Sequence, residues 1–220
     1  MRLGRAGTAF ELVGIAGGVG LAISIVFSSL LRLPRGPFVL VHAVATFALA
    51  ALFLHRSRAH LARPGRRGPA AAVAVGLLLG GILVMGVVSG PGGASPTATR
   101  LVAALGWYGV VYGIVDALLL TIIPVLAVGV RSAPAGTVGQ RLRWGGVALG
   151  ASLLVTALYH AGFDEYRGAA LVQPLIGNTV VTAGYLLTGH PATPLLAHVL
   201  MHGAAVIHGM EATTQLPPHY

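Results

Sequence analysis

Two histidines, His198 and His202, stand four residues apart in an apolar stretch that is long enough to cross a bilayer. On an α-helix this spacing places both imidazoles on one face, and inside a membrane each imidazole needs a polar partner. The chain has only five Asp and Glu residues, and one of them, Asp116, lies deep inside another apolar stretch. A buried carboxylate that faces a histidine pair could activate water or bind a metal ion.

The depths of these polar residues match when each helix is given its usual rise per residue. Asp116, His198 and His202 all fall near the middle of their apolar stretches. Asn178 lies about halfway along another stretch, and Tyr112 lies one helical turn before Asp116 on the same helix face. Ionisable groups at mid-bilayer are costly and usually mark a functional site, so we expect these side chains to form one.

A third histidine, His160, lies at the end of the apolar stretch that precedes Asn178. Asp164 and Glu165 follow it, in or just outside the predicted membrane interface. These positions predict a pocket that opens toward the extracytoplasmic side, with His160 near its mouth and the two acids as secondary candidates for the site.

The composition predicts an all-α polytopic membrane protein. Of the 220 residues, 55% are hydrophobic and 9% are charged, and the mean hydropathy is +0.84. No polar stretch is long enough for an ordinary soluble domain, so residues 1–220 should form one membrane domain. Cysteine is absent, which excludes disulfides, thiolate metal ligands and a cysteine nucleophile.

Cutting the apolar runs at charged, Pro-rich and Gly-rich positions yields seven segments, each close to the length of a spanning helix. The first is too long for a cleavable signal peptide and lacks a small-residue cleavage site. The predicted segments are Phe10 to Leu31, Pro37 to Leu54, Pro69 to Ser89, Leu101 to Val128, Trp144 to His160, Ala169 to Leu187 and Thr193 to Gly209.

The arginines predict the orientation of these segments in the membrane. Ten of the fourteen arginines fall on the side of the amino terminus and four on the other side. We therefore expect a cytoplasmic amino terminus and an extracytoplasmic carboxyl terminus, in the plasma membrane of a bacterium. The net charge of +9 is thus a topology signal and no indication of nucleic-acid binding. Arg63, Arg66 and Arg67 are also expected to contact anionic lipid headgroups.

The other histidines are expected to lie near interfaces or termini, where an imidazole is tolerated without a special role. They are His42, His55, His60, His190, His208 and His219.

The run from Leu187 to His202 reads Leu-Thr-Gly-His-Pro-Ala-Thr-Pro-Leu-Leu-Ala-His-Val-Leu-Met-His. It resembles the last motif of the CAAX prenyl protease and bacteriocin-processing family of intramembrane proteases. In that family a turn of small residues leads into a helix with a histidine, followed four residues later by Asn or Asp. The resemblance covers the carboxyl-terminal half of the chain, and it implies hydrolysis of a membrane-associated peptide or protein.

The resemblance also implies roles for individual residues. His198 matches the histidine of the last motif, His202 replaces the Asn or Asp, and His160 matches a lone histidine on another helix. Asp116 stands where the family has a glutamate pair, although no arginine follows it at the family's spacing. A rival alignment takes Asp164 and Glu165 as the acidic pair, but it leaves too little chain before His198 for the intervening helix.

Asp116, His160, His198 and His202 also form a ligand set suited to zinc or another divalent transition metal, whatever the family. A metal with an open position would acidify a bound water toward neutral pH, and this water could attack an amide. Without metal, the same groups could act as general base and oxyanion donors. The sequence leaves both schemes open.

Three other interpretations use the same residues. A carrier or channel could pass protons or metal ions along Asp116, Asn178 and the histidines, although the chain shows no internal repeat. A haem protein would pair His160 with His198 or His202 as axial ligands. A member of the protease family without activity would keep the fold as an interaction module.

Overall fold

The computed structural model describes residues 3–57, 68–129, 137–211 and 213–216. Sequence predictions for Arg63, Arg66, Arg67, His60 and His219 lie outside these residues. The described residues form helices and turns with no strand among them, which confirms the predicted all-α bundle. The helices are α1 (Leu3–Ala22, continued by the π-helical turns Ile23–Leu30), α2 (Arg35–Ser57), α3 (Pro69–Val88), α4 (residues 98–129), α5 (Val138–Ala161), α6 (Val172–Thr188) and α7 (Ala192–Gly209).

Helices α1 to α5, and α6 together with the turn Gly168–Leu171 before it, are long and apolar enough to cross a membrane, and α4 is the core helix. In its most apolar part 72% of the residues are buried, against 22 to 39% in the other five. Helix α7 has 18 residues and contains three histidines, and it packs between α3 and α4. The protein is therefore an integral membrane bundle of six to seven spanning helices.

Contacts at the helix ends show that the helices alternate in direction. At one end, Arg35 pairs with Glu211 at 3.1 Å, and the Ser95 hydroxyl donates to the Ile207 carbonyl at 2.6 Å. At the opposite end, Arg56 of α2 pairs with Glu11 of α1 at 3.3 Å. The carboxyl-terminal segment therefore lies at the same end as the loops after α1, α3 and α5.

Helix α5 begins six residues before the predicted start at Trp144, because Arg141 and Arg143 belong to its first turns. Thr137 and Gln140 form a capping box that satisfies free amide groups at this end. Arginines in a first turn are tolerated because their side chains extend to the interface. Treating charged residues as loop residues therefore placed the predicted start of α5 too late.

Helix α7 ends at Gly209, whose φ of 131° is a conformation that residues with a side chain rarely adopt. A Cβ atom at this position would lie 2.6 Å from the Cα atom of Gly93. This glycine lets the chain turn away from α7 against the loop after α3.

Candidate functional site

The site is built around Asp116 of α4 and His202 of α7. Nε2 of His202 donates a hydrogen bond of 3.0 Å to Oδ2 of Asp116. The two residues are only 4% and 1% exposed, so the pair lies inside the bundle. This contact places Asp116 and His202 at the same level of the bundle.

His198 lies one turn before His202 on the same face of α7, and the two rings stack with centroids 6.1 Å apart. Neither ring nitrogen of His198 has a hydrogen-bond partner among the described residues. Oδ1 of Asp116 and Nδ1 of His202 are also buried without such a partner there. Buried polar atoms are seldom left without a partner, and a bound ion or water would satisfy these atoms.

Asp116, His198 and His202 each offer one ligand atom, and these three atoms lie within 4.8 Å of one another. A carboxylate oxygen and two imidazole nitrogens are donors that zinc and related divalent metals accept. This buried group could therefore hold one metal ion.

The local structure of α4 explains how Asp116 reaches its partners. The residue ends a short α-helical stretch between two π-helical stretches, Leu105–Val111 and Ala117–Ile122. Such π-helical insertions rotate the following side chains and occur often at functional sites. At Gly113, one turn before Asp116, the absent side chain lets α4 touch the backbone of Val199 on α7.

His42 of α2 is also part of this site, contrary to the prediction that it lies near an interface. It is fully buried, and its Nδ1 lies 4.0 Å from Oδ1 of Asp116. It stands seven residues into α2 and hence about 10 Å below the start of that helix. The sequence signal was their spacing, since His42 and Thr46 are four residues apart and so share one helix face. In the structure both are fully buried.

Two tyrosine hydroxyls connect His42 to the other side of the site. The hydroxyl of Tyr159 lies 3.4 Å from Nδ1 of His42 and 3.0 Å from the hydroxyl of Tyr112. The ring of Tyr112 packs against His202 with centroids 4.5 Å apart. Tyr112 was predicted to belong to the site. Tyr159 was missed, because it directly precedes His160 and therefore lies on a different face of the helix.

A cavity of about 240 Å³ lies beside this cluster. Asp116, His198 and His202 form one part of its wall, and His160 lies on the wall as well. Nδ1 of His160 donates to the carbonyl of Thr156 at 2.9 Å. His160 thus faces the same space as the predicted site but does not belong to the three-residue group that could share a metal.

Asn178 also lines the cavity and is the centre of a separate polar cluster between α4, α5 and α6. Its side-chain nitrogen donates to Thr156 at 2.6 Å and to Ser152 at 2.9 Å. Its side-chain oxygen accepts a bond of 2.7 Å from Thr121. Because these bonds satisfy the amide, Asn178 connects the helices that form the cavity wall.

Asp164 and Glu165 lie outside the cluster, in an exposed turn between α5 and α6. Asp164 pairs with Arg167 at 2.7 Å. These two residues are the rival acidic pair of the sequence comparison, and neither of them lines the cavity.

One end of the cavity is covered by the closing segment, residues 213–216. Thr214 and Gln215 line the cavity, and Leu216 is buried. The hydroxyl of Tyr166 donates to the Thr214 carbonyl. Burial raises the pKa of the Tyr166 hydroxyl well above its usual range, so the hydroxyl keeps the proton that it donates.

Fold and site together define an integral membrane helix bundle with a buried carboxylate and histidine site. No family model matches the chain, and neither curated proteins nor solved structures give a significant match. The resemblance to the CAAX prenyl protease and bacteriocin-processing family therefore rests on the sequence motifs alone.

Proposed function

We propose that this protein is a membrane-embedded hydrolase that cleaves a peptide bond of a membrane-associated peptide or protein. The observation that carries the proposal is the group of buried polar atoms without partners on Asp116, His198 and His202, beside a cavity that can admit a substrate. The substrate class comes from the resemblance of the His198 to His202 motif to the intramembrane protease family.

We further propose that Asp116, His198 and His202 hold one divalent transition metal, with zinc as the first candidate. The donor set fits, and the atoms without partners are those that a metal would engage. When bound, such a metal would lower the pKa of a coordinated water and polarise a carbonyl group.

The same residues also have tasks in the alternative scheme without metal. There the carboxylate of Asp116 would take a proton from the water that attacks the scissile carbonyl carbon, and would pass it to the nitrogen of the leaving amine as the carbon–nitrogen bond breaks. His202 orients that carboxylate through the bond from its Nε2. The ring of Tyr112 packs against His202, and the ring of Tyr159 packs against His42.

The chain's arginines support a cytoplasmic amino terminus and an extracytoplasmic closing segment, in a bacterial plasma membrane. The contacts of Glu211 with Arg35 and of Tyr166 with Thr214 agree with this orientation. Both contacts lie at the end of the bundle whose loops carry fewer arginines. Under this orientation the cavity lies nearer to the extracytoplasmic side.

A chelator should inhibit the hydrolase reversibly. Purified protein in liposomes is mixed with a set of single-span peptides, and the products are identified by mass spectrometry. We expect 1,10-phenanthroline to reduce cleavage by at least about 100-fold, because it removes the metal that acidifies the water. Added zinc should restore cleavage, and the non-chelating isomer 1,7-phenanthroline should have no effect. Full cleavage in the presence of the chelator would contradict the metal-dependent scheme.

A further inference from the structure

The cavity reaches the lipid-facing surface between α3 and α6. Ile82 of α3 and Ile176 of α6 line the cavity, yet they are 52% and 61% exposed. A side chain can satisfy both conditions only where the cavity wall is also the outer surface of the bundle. The opening therefore faces the hydrocarbon of the bilayer.

The spacing of α3 and α6 shows where they separate. A Cβ atom at Gly184 would collide with Leu79, and one at Gly177 would lie 3.7 Å from Leu83. A Cβ atom at Gly86 would meet no described atom within 4 Å. The two helices therefore lie close together from the level of Leu79 to that of Leu83, and they diverge only toward the end of α3 that carries Gly86.

At the other boundary, the closing segment restricts access from water. Leu216 is 1% exposed, and Tyr166 holds the backbone of this segment through the Thr214 carbonyl. This segment therefore covers the cavity at the end of the bundle where the loops lie.

We propose that an extended apolar peptide segment enters the site from the bilayer through this gap, which we call the lateral opening (Ile82, Leu83, Gly86, Ile176 and Gly177). The proposal rests on the proposed peptidase function and specifies how its substrate arrives.

The size and lining of the cavity determine the form of this substrate. The volume of about 240 Å³ is of the same order as the ~150 Å³ cavity that holds one benzene molecule. A helix about 10 to 12 Å across is too wide for it, so the segment enters unwound. Gln173 and Gln215, which also line the cavity, can then pair with the peptide groups that unwinding exposes.

The absence of cysteine makes a direct test possible, because Met201→Cys places the sole thiol of the chain on the cavity wall. This variant is reconstituted in liposomes and treated with N-dodecylmaleimide, which partitions into the bilayer. A parallel sample receives a maleimide with a charged substituent on both sides of the membrane, so that both reagents have the same reactive group. The rates of modification are measured by mass spectrometry.

We expect the alkyl maleimide to react faster than the charged reagent. Adding Gly86→Trp should slow the maleimide reaction by about tenfold or more, because the indole fills the lateral opening. Gly81→Trp on the same helix is the matched control, since a Cβ atom there also meets no described atom within 4 Å and Gly81 does not line the cavity. The control should react at nearly the rate of the parent variant. Ile176→Trp provides a second block should Gly86→Trp fail to fold.

Faster reaction with the charged reagent, or an unchanged maleimide rate in both blocked variants, would overturn the lateral opening. The labelling requires neither metal nor hydrolysis. A protein that shows the expected labelling but cleaves no peptide would therefore refute the proposed function and leave the opening intact. A protein that cleaves peptides but reacts faster with the charged reagent would refute the lateral opening and support the proposed function.

Discussion

Replacing Asp116 by asparagine is expected to reduce peptide cleavage by at least about 10³-fold, because the variant loses the anionic group that is a ligand when metal is bound and the proton acceptor when it is not. Asparagine has nearly the same shape, and its side-chain oxygen can still accept the bond that Nε2 of His202 donates to Asp116. The bundle should therefore remain folded, which circular dichroism and thermal unfolding in detergent would show.

Asp164→Asn is the matched control for this experiment. It removes another of the five acidic side chains, but Asp164 is exposed and pairs with Arg167 outside the cavity. This variant should cleave at the rate of the unchanged protein. Normal turnover by Asp116→Asn would refute the proposed role of the carboxylate.

The second large effect is expected at Gly113, where α4 and α7 touch. An added Cβ atom would lie 2.8 Å from the Cα atom and 2.9 Å from the nitrogen of Val199. Because these are backbone atoms, the helices must move apart, at a cost of about 1 to 3 kcal/mol for Gly113→Ala. The same movement carries Asp116 away from the histidines of α7. We expect metal affinity to fall by about 10- to 100-fold, measured by titration with zinc.

Gly106→Ala separates this packing effect from the general effect of alanine. Gly106 lies on the same helix, and a Cβ atom there would meet no described atom within 4 Å. Alanine at an unobstructed helical position should stabilise by about 0.5 to 1 kcal/mol. Equal stability and equal metal affinity in the two variants would show that the contact at Gly113 does not set the geometry of the site.

The bundle and the central pair were predictable from the sequence because both depend on one-dimensional patterns. Runs of about 20 apolar residues define spanning helices. Depth along such helices placed Asp116 at the level of His198 and His202, and the structure brings Asp116 within hydrogen-bond distance of His202. The error at the start of α5 arose where charged residues belong to a helix and not to a loop.

The rest of the site depends on rotation and packing, which these patterns do not contain. His42 joins the cluster because α2 turns that face inward, and depth alone placed it near an interface. His160 lies on the cavity wall but outside the three-residue group, since its ring bonds back to Thr156 on its own helix. The π-helical stretches around Asp116 also change which residues share its face, so the spacing of an ideal helix does not describe α4.

His42 of α2 lies on the side of Asp116 that His202 leaves open. Nδ1 of His42 lies 4.0 Å from Oδ1 of Asp116, so the carboxylate has imidazoles on two sides. A carboxylate held in this way has a fixed orientation, as a metal ligand or a general base requires. Its position agrees with a single chemical centre at Asp116.

The central claim is that Asp116, His198 and His202 bind one divalent metal, and X-ray absorption at the metal edge of the purified protein tests it most directly. We predict about one metal per chain with nitrogen and oxygen ligands near 2.0 to 2.1 Å, and with the outer scattering of two imidazoles. Protein that carries no metal after incubation with zinc, or bound metal without imidazole scattering, would contradict the claim.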